Sequence, residues 1–318
     1  MKYGFGVDLG GTTVKIAYFQ EDGTLLTKWE IPTRLEEQGK HILPDIAESV
    51  LAFIRRENAR DILGIGIGVP GPVSGDGVVN RCVNLGWGVF SVVQQLSDLT
   101  GLPVAAGNDA TLAALGECWK GSGKSCRNML FATLGTGVGG GLIVDGHVLH
   151  GAYGAGGEIG HMILDPHEPE LSNCGKHGTV EQYCSATGIV RLAKKALEEQ
   201  PLPSLLRQAE PLTCKAVFDA GKAGDALAQQ VLEQVYACLG LFLANVACVV
   251  NPEVIVLGGG VSKAGQMLLD GVAPHFAANV FHAASNVRFA IAELGNDAGA
   301  YGAFKLILDK LSKNLENA

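Results

Sequence analysis

The feature that most constrains this sequence is a glycine-dense segment placed directly after an apolar run. Residues 129–134 are apolar and lead into Gly135-Thr136-Gly137-Val138-Gly139-Gly140-Gly141, after which a second apolar run begins. A related segment near the N-terminus, Asp8-Leu9-Gly10-Gly11-Thr12, also lies between apolar runs. Glycine exposes backbone N–H groups and lets a bulky anion approach closely. The two segments predict strand–turn–strand hairpins about 125 residues apart, a duplication facing one shared ligand, a nucleotide phosphate chain.

The same glycines allow a competing interpretation. Gly135, Gly137 and Gly140 satisfy the G-x-G-x-x-G pattern of dinucleotide-binding folds. That pattern requires a helix after the glycines, so that the helix N-terminus faces the pyrophosphate. Here residues 142–149 form two short β-like runs around Asp145-Gly146, which is typical of a hairpin. The hairpin is therefore the main prediction, and the dinucleotide fold is the minor alternative.

Charge and cysteine usage restrict the class of protein. With 24 Lys and Arg against 32 Asp and Glu, the net charge is −8, which argues against nucleic acid or an anionic membrane as partner. Eight scattered cysteines without a C-x-x-C pair suit reduced thiols better than a disulfide framework. The longest apolar run, 237–250, is too short and broken to span a membrane, and the N-terminus does not look like a signal peptide. We expect a cytoplasmic protein.

Strands and helices alternate after each hairpin, which predicts an α/β fold with two lobes and a ligand cleft between them. The polar glycine segment 120–125 is the expected boundary between the lobes. Ser262 is a good helix N-cap, and we expect a helix from there through Leu269. The other main expected elements are strands 62–69, 104–106 and 254–257 and helices 41–56, 91–100, 110–119, 186–200, 225–250 and 298–315.

Asp109 is the first candidate for chemistry. It stands between a short apolar strand and an Ala/Leu-rich helix, where Asp often serves as an N-cap. The alternative is a carboxylate that faces the cleft and takes the proton from a substrate hydroxyl, with Asn108 bonding neighbouring hydroxyls.

Other polar groups also have two interpretations. Glu158, His161 and Glu181 lie in or after glycine loops, where they could be structural or could bind the hydroxyls of a neutral polyol. Asp8 could cap its turn or position Mg²⁺ and water beside a phosphate. Gly258-Gly259-Gly260 could be a simple turn or could leave room for a nucleoside.

Taken together, these motifs resemble the ROK family of sugar kinases and repressors, and within it the branch of bacterial ATP-dependent glucokinases. The resemblance extends over some 300 residues and rests on motifs in the family's order: Asp8–Thr12, Asn84–Trp87, Asn108–Ala110, Ala113–Glu117, Leu134–Gly141, Gly157–His161, Ser185–Ile189 and Leu257–Ser262.

The resemblance implies a ribonuclease-H-like fold of the actin/hexokinase type. It divides the chain into a small lobe, residues 1–119 plus about 298–318, and a large lobe, residues 120–297, with the C-terminal helix packed on the small lobe. It also implies ATP and Mg²⁺ as cofactors, a small-molecule sugar as substrate and a homodimer.

By the same resemblance, Asp109 is the base that activates the sugar 6-hydroxyl. The resemblance implies that the sugar is held by Gly71, Asn84, Asn108, Glu158, His161 and Glu181. The phosphates are held by Asp8, Gly10, Gly11, Thr12, Gly135, Thr136 and Gly137, and the nucleoside lies near Gly258, Gly259 and Gly260.

The sequence departs from the family at a zinc site. The family usually combines the His of its Gly-His pair with three cysteines, but Ser172 and Thr179 stand where two of those cysteines are expected, and neither is a usual zinc ligand. His161 and Cys174 are too few for a closed site, and a substitute ligand would have to be His167 or His177. We therefore expect no structural zinc, and the loop must be held by packing and hydrogen bonds.

The expected activity is ATP-dependent phosphorylation of glucose at its 6-hydroxyl. One alternative is another hexose such as N-acetylmannosamine, whose acetamido group would need room near Glu158 and Glu181. A second is a non-catalytic sugar sensor or repressor of the same family. A repressor would need a DNA-binding segment before the first glycine turn, and this chain starts seven residues before Asp8, so we do not expect one.

Overall fold

Each of the two glycine hairpins opens a five-stranded sheet. The computed structural model describes residues 1–316, with side chains through residue 313. In this part of the chain the strands are β1 (Tyr3–Leu9), β2 (Thr13–Gln20), β3 (Leu25–Pro32), β4 (Ile62–Val69), β5 (Val78–Cys82), β6 (Trp87–Ser91), β7 (Val104–Asn108), β8 (Met129–Leu134), β9 (Val138–Val144), β10 (His147–Val148), β11 (Val254–Gly258) and β12 (Arg288–Ile291).

The two sheets have the same topology. Their strand orders are β3-β2-β1-β4-β7 and β10-β9-β8-β11-β12. In each sheet the strand before the glycines is antiparallel to the strand after them and parallel to its other neighbour. The predicted duplication is confirmed. The dinucleotide-fold alternative is wrong because a strand, β9, follows the second glycine turn.

The helices lie between and outside the sheets. They are α1 (Glu36–Gly39), α2 (Ile42–Glu57), α3 (Val92–Thr100), α4 (Asp109–Lys120), α5 (Val180–Cys184), α6 (Ala186–Glu199), α7 (Cys214–Lys222), α8 (Ala226–Val250), α9 (Gln266–Asn279) and α10 (Ala298–Glu316). Each of the long helices predicted from periodicity forms, with ends that differ from the predicted ones by at most one residue.

One helix prediction was wrong. Ser262 does not cap a helix: residues Val261–Ala264 form a 3-10 turn, Gly265 has a φ of +63°, and α9 begins only at Gln266. The Ser262 hydroxyl donates instead to the carbonyl oxygen of Gly259, at 2.8 Å. Gly258 at the end of β11 and the two glycines after it thus make a compact turn closed by that hydroxyl.

Helix α8 is apolar and long enough, by composition, to cross a membrane. It is packed against α5, α6, α7 and α9, and residues from Leu227 to Ala247 along its length are buried in the core of the second half. Its apolar surface is therefore used for internal packing.

Helices α4 and α10 pack against each other at glycine positions between the two sheets. A Cβ atom on Gly302 of α10 would lie 1.6 Å from the carbonyl oxygen of Leu112 of α4. A Cβ atom on Gly66 of β4 would lie 1.7 Å from the carbonyl oxygen of Ala303. Helix α10 therefore lies directly on β4, and α4 lies between α10 and β9. The lobe boundaries stay a prediction, and residues 317 and 318 of the predicted small lobe lie outside the described residues.

This packing makes Gly302 a sensitive position. In the interior of a solvent-exposed helix, Gly→Ala stabilises the fold by up to about 1 kcal/mol. We expect Gly302→Ala to destabilise by about 1–3 kcal/mol in urea unfolding, because its methyl group would force α4 and α10 apart. Gly88→Ala is the control, since nothing lies within 4 Å of its added methyl group. It should change stability by less than about 0.5 kcal/mol. A Gly302→Ala variant as stable as the wild type would contradict the packing.

Candidate active site

Asp109 stands at the point where β7 ends and α4 begins. The N-cap of α4 is Asn108, whose side-chain oxygen accepts a hydrogen bond from the N–H of Thr111 at 3.0 Å. The amide nitrogen of Asn108 donates to the carbonyl oxygen of Gly71 at 3.1 Å. Asp109 is therefore not the cap, so that interpretation was wrong. Its carboxylate accepts from the adjacent N–H of Ala110, at 2.8 Å, and lines open space.

Two adjoining cavities meet at Asp109. We call them cavity A, of about 420 Å³, and cavity B, of about 370 Å³. Asp109, Ala110 and Thr133 line both of them. A carboxylate at such a junction can contact a ligand in either cavity, which is the arrangement that transfer between two bound molecules requires.

The cavities separate the predicted site residues into two groups. Cavity A is lined by Asp8, Gly258, Gly259 and Gly260, together with Lys15, Ser262, Lys263 and the segment 291–299. Cavity B is lined by Gly71, Asn84, Asn108, Glu158 and Glu181, together with Gly135 and Gly137. Gly10, Gly11, Thr12, Thr136 and His161 line neither cavity.

The first glycine turn is held by a threonine of the segment after β3. The hydroxyl of Thr33 donates to the carbonyl oxygen of Gly10 at 2.7 Å, and its N–H donates to that of Thr12 at 2.9 Å. Gly11 and Thr12 are exposed at the tip. The turn is thus fixed from behind while its tip stays open to solvent.

Glu181 supports the second glycine turn. Its carboxylate accepts a hydrogen bond from the N–H of Val138 at 3.1 Å, and a Cβ atom on Gly137 would lie 2.3 Å from the same oxygen. The start of α6 holds the other side, since the N–H of Ala186 donates to the carbonyl oxygen of Gly135 at 2.8 Å. Glu181 therefore links the polar wall of cavity B to the glycine turn.

The electrostatics at Asp109 favour a proton acceptor near neutral pH. Burial raises the pKa of its carboxyl group to about 6, and the negative charges of Asp8 and Glu158 act in the same direction. Burial also raises the pKa of Asp8, opposed by Lys15, whose Nζ lies 3.7 Å from the Asp8 carboxylate. Perturbed carboxylates in a cleft are typical of functional sites.

Sequence reasoning missed Lys15 and Thr133. Lys15 lies directly opposite Asp8 in the β1–β2 register, and it donates to the carbonyl oxygen of Asn296 at 3.3 Å. Counting outward from the glycine turn could have paired Lys15 with Asp8, because an antiparallel hairpin fixes the register. Thr133 carried no motif, and only the fold shows that it lines both cavities.

The donor set of cavity A fits a magnesium ion bound with a phosphate chain. Mg²⁺ takes oxygen ligands and is usually held by one or two carboxylates together with substrate phosphates and water. Asp8 and Asp109 supply carboxylate oxygens to one cavity. Among the described residues no three His, Cys, Asp or Glu side chains converge as a protein-only metal cage would need.

In the segment from His161 to Glu181, where the family's zinc site would lie, no three of the described His, Cys, Asp or Glu side chains converge on one point. The Cys174 sulfur lies 3.1 Å from the Ser172 hydroxyl, and His161 is exposed, 3.7 Å from Glu158. The segment is instead fastened at Glu168, which is 7% exposed and accepts from the Tyr183 hydroxyl at 2.8 Å and from Arg191 at 3.2 Å. The absence of zinc stays a prediction.

Comparison with known proteins identifies the family to which this fold belongs. The model of the ROK family matches residues 4–310. A glucokinase of Halalkalibacterium halodurans is 44% identical over 95% of this chain and 94% of that protein.

Solved structures of similar fold also come from the ROK family. A ROK family glucokinase from Streptomyces griseus, solved in complex with glucose and AMPPNP, is 29% identical with a TM-score of 0.76, covering 96% of this chain and 98% of that one. A ROK hexokinase from Thermus thermophilus is 30% identical with a TM-score of 0.81, covering 98% and 99%. With two sheets of one topology, a cleft at Asp109 and a family match across nearly its whole length, this chain belongs to the ROK family.

Proposed function

We propose that this protein is an ATP-dependent hexose kinase that phosphorylates glucose at its 6-hydroxyl. The observation that carries the proposal is the position of Asp109 at the junction of cavities A and B. Cavity B presents amide and carboxylate groups that suit the hydroxyls of a neutral sugar. Cavity A is bordered by glycines and by Lys15 and Lys263, which suit a nucleotide and its phosphates. The similarity to glucokinases supports glucose over other hexoses.

The chemistry follows from this placement. With the sugar in cavity B, Asp109 accepts the proton of the 6-hydroxyl as that oxygen attacks the γ-phosphorus of ATP from the cavity B side. The bond from the γ-phosphorus to the bridging oxygen breaks, and ADP leaves with that oxygen. Glucose 6-phosphate remains, and Asp109 later releases its proton to water.

The other groups position the reactants. Asn108 is fixed by Gly71 and Thr111, so its amide is preorganised beside the sugar site. Glu158, Glu181 and Asn84 supply further hydrogen-bonding groups in cavity B, with His161 at its edge. Within the glycine turns the N–H groups of Gly10 and Gly135 donate to the carbonyl oxygens of Thr13 and Gly137, so the groups proposed to bind the phosphates are the N–H groups of residues 11–12 and 136–137. Asp8 would hold Mg²⁺ in cavity A, and the ion would neutralise phosphate charge there.

Assembly and location belong to the same proposal. We infer a homodimer, as the family resemblance implies. We also infer a cytoplasmic location, supported by the use of the apolar α8 helix for internal packing.

The direct test is ADP release from Mg·ATP with a panel of hexoses, with and without a zinc chelator. We expect the highest kcat/KM on glucose, no effect of the chelator, and a fall in kcat of about 10²–10⁴-fold in Asp109→Asn, because general-base catalysis contributes that much. Asp270→Asn, on the exposed surface of α9, is the matched control and should keep wild-type turnover. Turnover only on an N-acylated hexose would keep the kinase mechanism but change the substrate from glucose to that sugar. Sugar binding without turnover on any hexose would contradict the kinase function and favour a non-catalytic sugar sensor.

The proposal also fixes the pH dependence. Asp109 must be ionised to accept a proton, and its pKa is about 6. We therefore expect kcat/KM for glucose to be flat above pH 7 and to fall towards tenfold per unit below pH 6. An acid limb near pH 4, the range of an ordinary Asp, would contradict the raised pKa.

A base held in this way has a cost in stability. Because the pKa of Asp109 is higher in the folded protein than its usual 3.8, ionisation is harder in the folded state, so the penalty is present above pH 6 and vanishes below pH 4. Asp109→Asn should therefore stabilise the fold by about 1–3 kcal/mol at pH 7.5. Urea unfolding from pH 4 to 7.5 measures this, with Asp270→Asn as control. An Asp109→Asn variant that is less stable than the wild type at pH 7.5 would contradict it.

A further inference from the structure

Glu117 is a fully buried carboxylate in the last turn of α4, the helix that begins at Asp109. Glu117 lines neither cavity, so it does not border the proposed sugar site or the proposed nucleotide site. A negative charge near a helix C-terminus faces the negative end of the helix dipole and is unfavourable there. A buried carboxylate in such a place must be compensated by hydrogen-bond donors.

Its donors come from two segments that are far apart in sequence. One oxygen of Glu117 accepts from the N–H of Ser122 at 2.9 Å and from that of Glu293 at 3.1 Å. The other oxygen accepts from the N–H of Leu294 at 2.7 Å. Residues 121–128 and 292–297 are the two places where the chain passes between the first and second sheets. Both crossings are thus bonded to one carboxylate.

The crossings are also bonded to each other around Glu117. The hydroxyl of Ser122 donates to the carbonyl oxygen of Ile291, and Arg288 donates to the carbonyl oxygen of Ser122 at 3.1 Å. Gly121 has no room for a side chain, since a Cβ atom there would lie 2.0 Å from the Glu117 carboxylate. The first crossing therefore wraps closely around this group.

The second crossing is a wall of cavity A. Ile291, Ala292, Gly295 and Asn296 line that cavity, and the two N–H groups that Glu117 binds lie between Ala292 and Gly295. The same wall continues to Gly299, where a Cβ atom would lie 2.8 Å from the carboxyl carbon of Asp8. Glu117 thus connects the helix that carries Asp109 to the wall facing Asp8.

We propose that Glu117 is a positioning residue for phosphoryl transfer: it fixes the nucleotide-side wall, residues 291–299, relative to α4, and so sets the nucleotide in line with Asp109. This rests on the proposed kinase function. Because Glu117 bonds the wall of cavity A and not the groups of cavity B, its loss impairs nucleotide use and leaves sugar binding intact.

The test is Glu117→Gln, which keeps the shape but turns an amide NH₂ towards backbone N–H donors. We expect KM for Mg·ATP to rise and kcat to fall, so that kcat/KM for Mg·ATP decreases by about 10–100-fold. The reason is that hydrogen bonds to a charged group are lost. The Kd for glucose without nucleotide, measured by calorimetry, should stay within about twofold. Gly121→Ala adds a methyl group that displaces the same carboxylate without changing its charge. It should also raise KM for Mg·ATP and lower kcat, and it replaces Glu117→Gln as the test if that variant does not fold.

Glu168→Gln is the matched control. It makes the same isosteric change in another buried carboxylate, which holds the segment beside cavity B through Tyr183 and Arg191. Glu168→Gln should raise the Kd for glucose more than the KM for Mg·ATP, which is the reverse of the effect expected for Glu117→Gln. If both variants instead change the two substrates in equal proportion, or if Glu117→Gln has wild-type kinetics, the positioning role is overturned.

Amide hydrogen exchange tests the same proposal without turnover. In Glu117→Gln, peptides covering 119–124 and 291–297 should exchange faster, while those covering 161–181 should not change. Unchanged exchange at 291–297 would overturn the proposal. Absence of turnover in the wild type on every sugar would refute the kinase function, and the exchange measurement would still decide whether Glu117 fixes this wall.

Discussion

The structure depends on the close packing of α4 and α10 between the two sheets. At Gly302 the helix α10 meets the backbone of α4, and at Gly66 it meets the first sheet, with no room for a side chain at either position. Because α4 also packs on β9, the two helices set the relative position of the two sheets. Asp109 stands at the N-terminus of α4, so this packing determines where the carboxylate lies relative to both glycine turns.

The same arrangement explains why the proposed base is costly to the fold. Asp109 is placed where burial and two nearby carboxylates disfavour its ionised form. A carboxyl group with a pKa of about 6 accepts a proton more readily than an ordinary Asp and is still ionised at neutral pH. Residues that help catalysis in this way commonly reduce stability. Glu117, at the other end of the helix, is buried too, but its charge is satisfied by three backbone N–H groups.

Much of the fold could be predicted from the sequence because glycine turns between apolar runs restrict the chain strongly. The hairpins β1–β2 and β8–β9 were predicted in this way, whereas the buried helix α8 was predicted from a long run that is apolar on nearly all sides. The ribbon β5–β6 was missed, since its strands follow Pro70-Gly71-Pro72 and alternate only weakly. Asn108 and Asp109 are both good caps, and only the backbone geometry decides between them. The role of Lys15 depends on strand register and that of Glu117 on contacts across 176 residues, and local patterns contain neither.

The most direct measurement of the central claim is a crystal structure with glucose and a non-hydrolysable ATP analogue bound together. The account predicts the sugar in cavity B and the nucleotide in cavity A, with one sugar hydroxyl within about 3.2 Å of the Asp109 carboxylate and facing the terminal phosphate. Both ligands in one cavity, or Asp109 on the far side of the sugar from the phosphate, would contradict it.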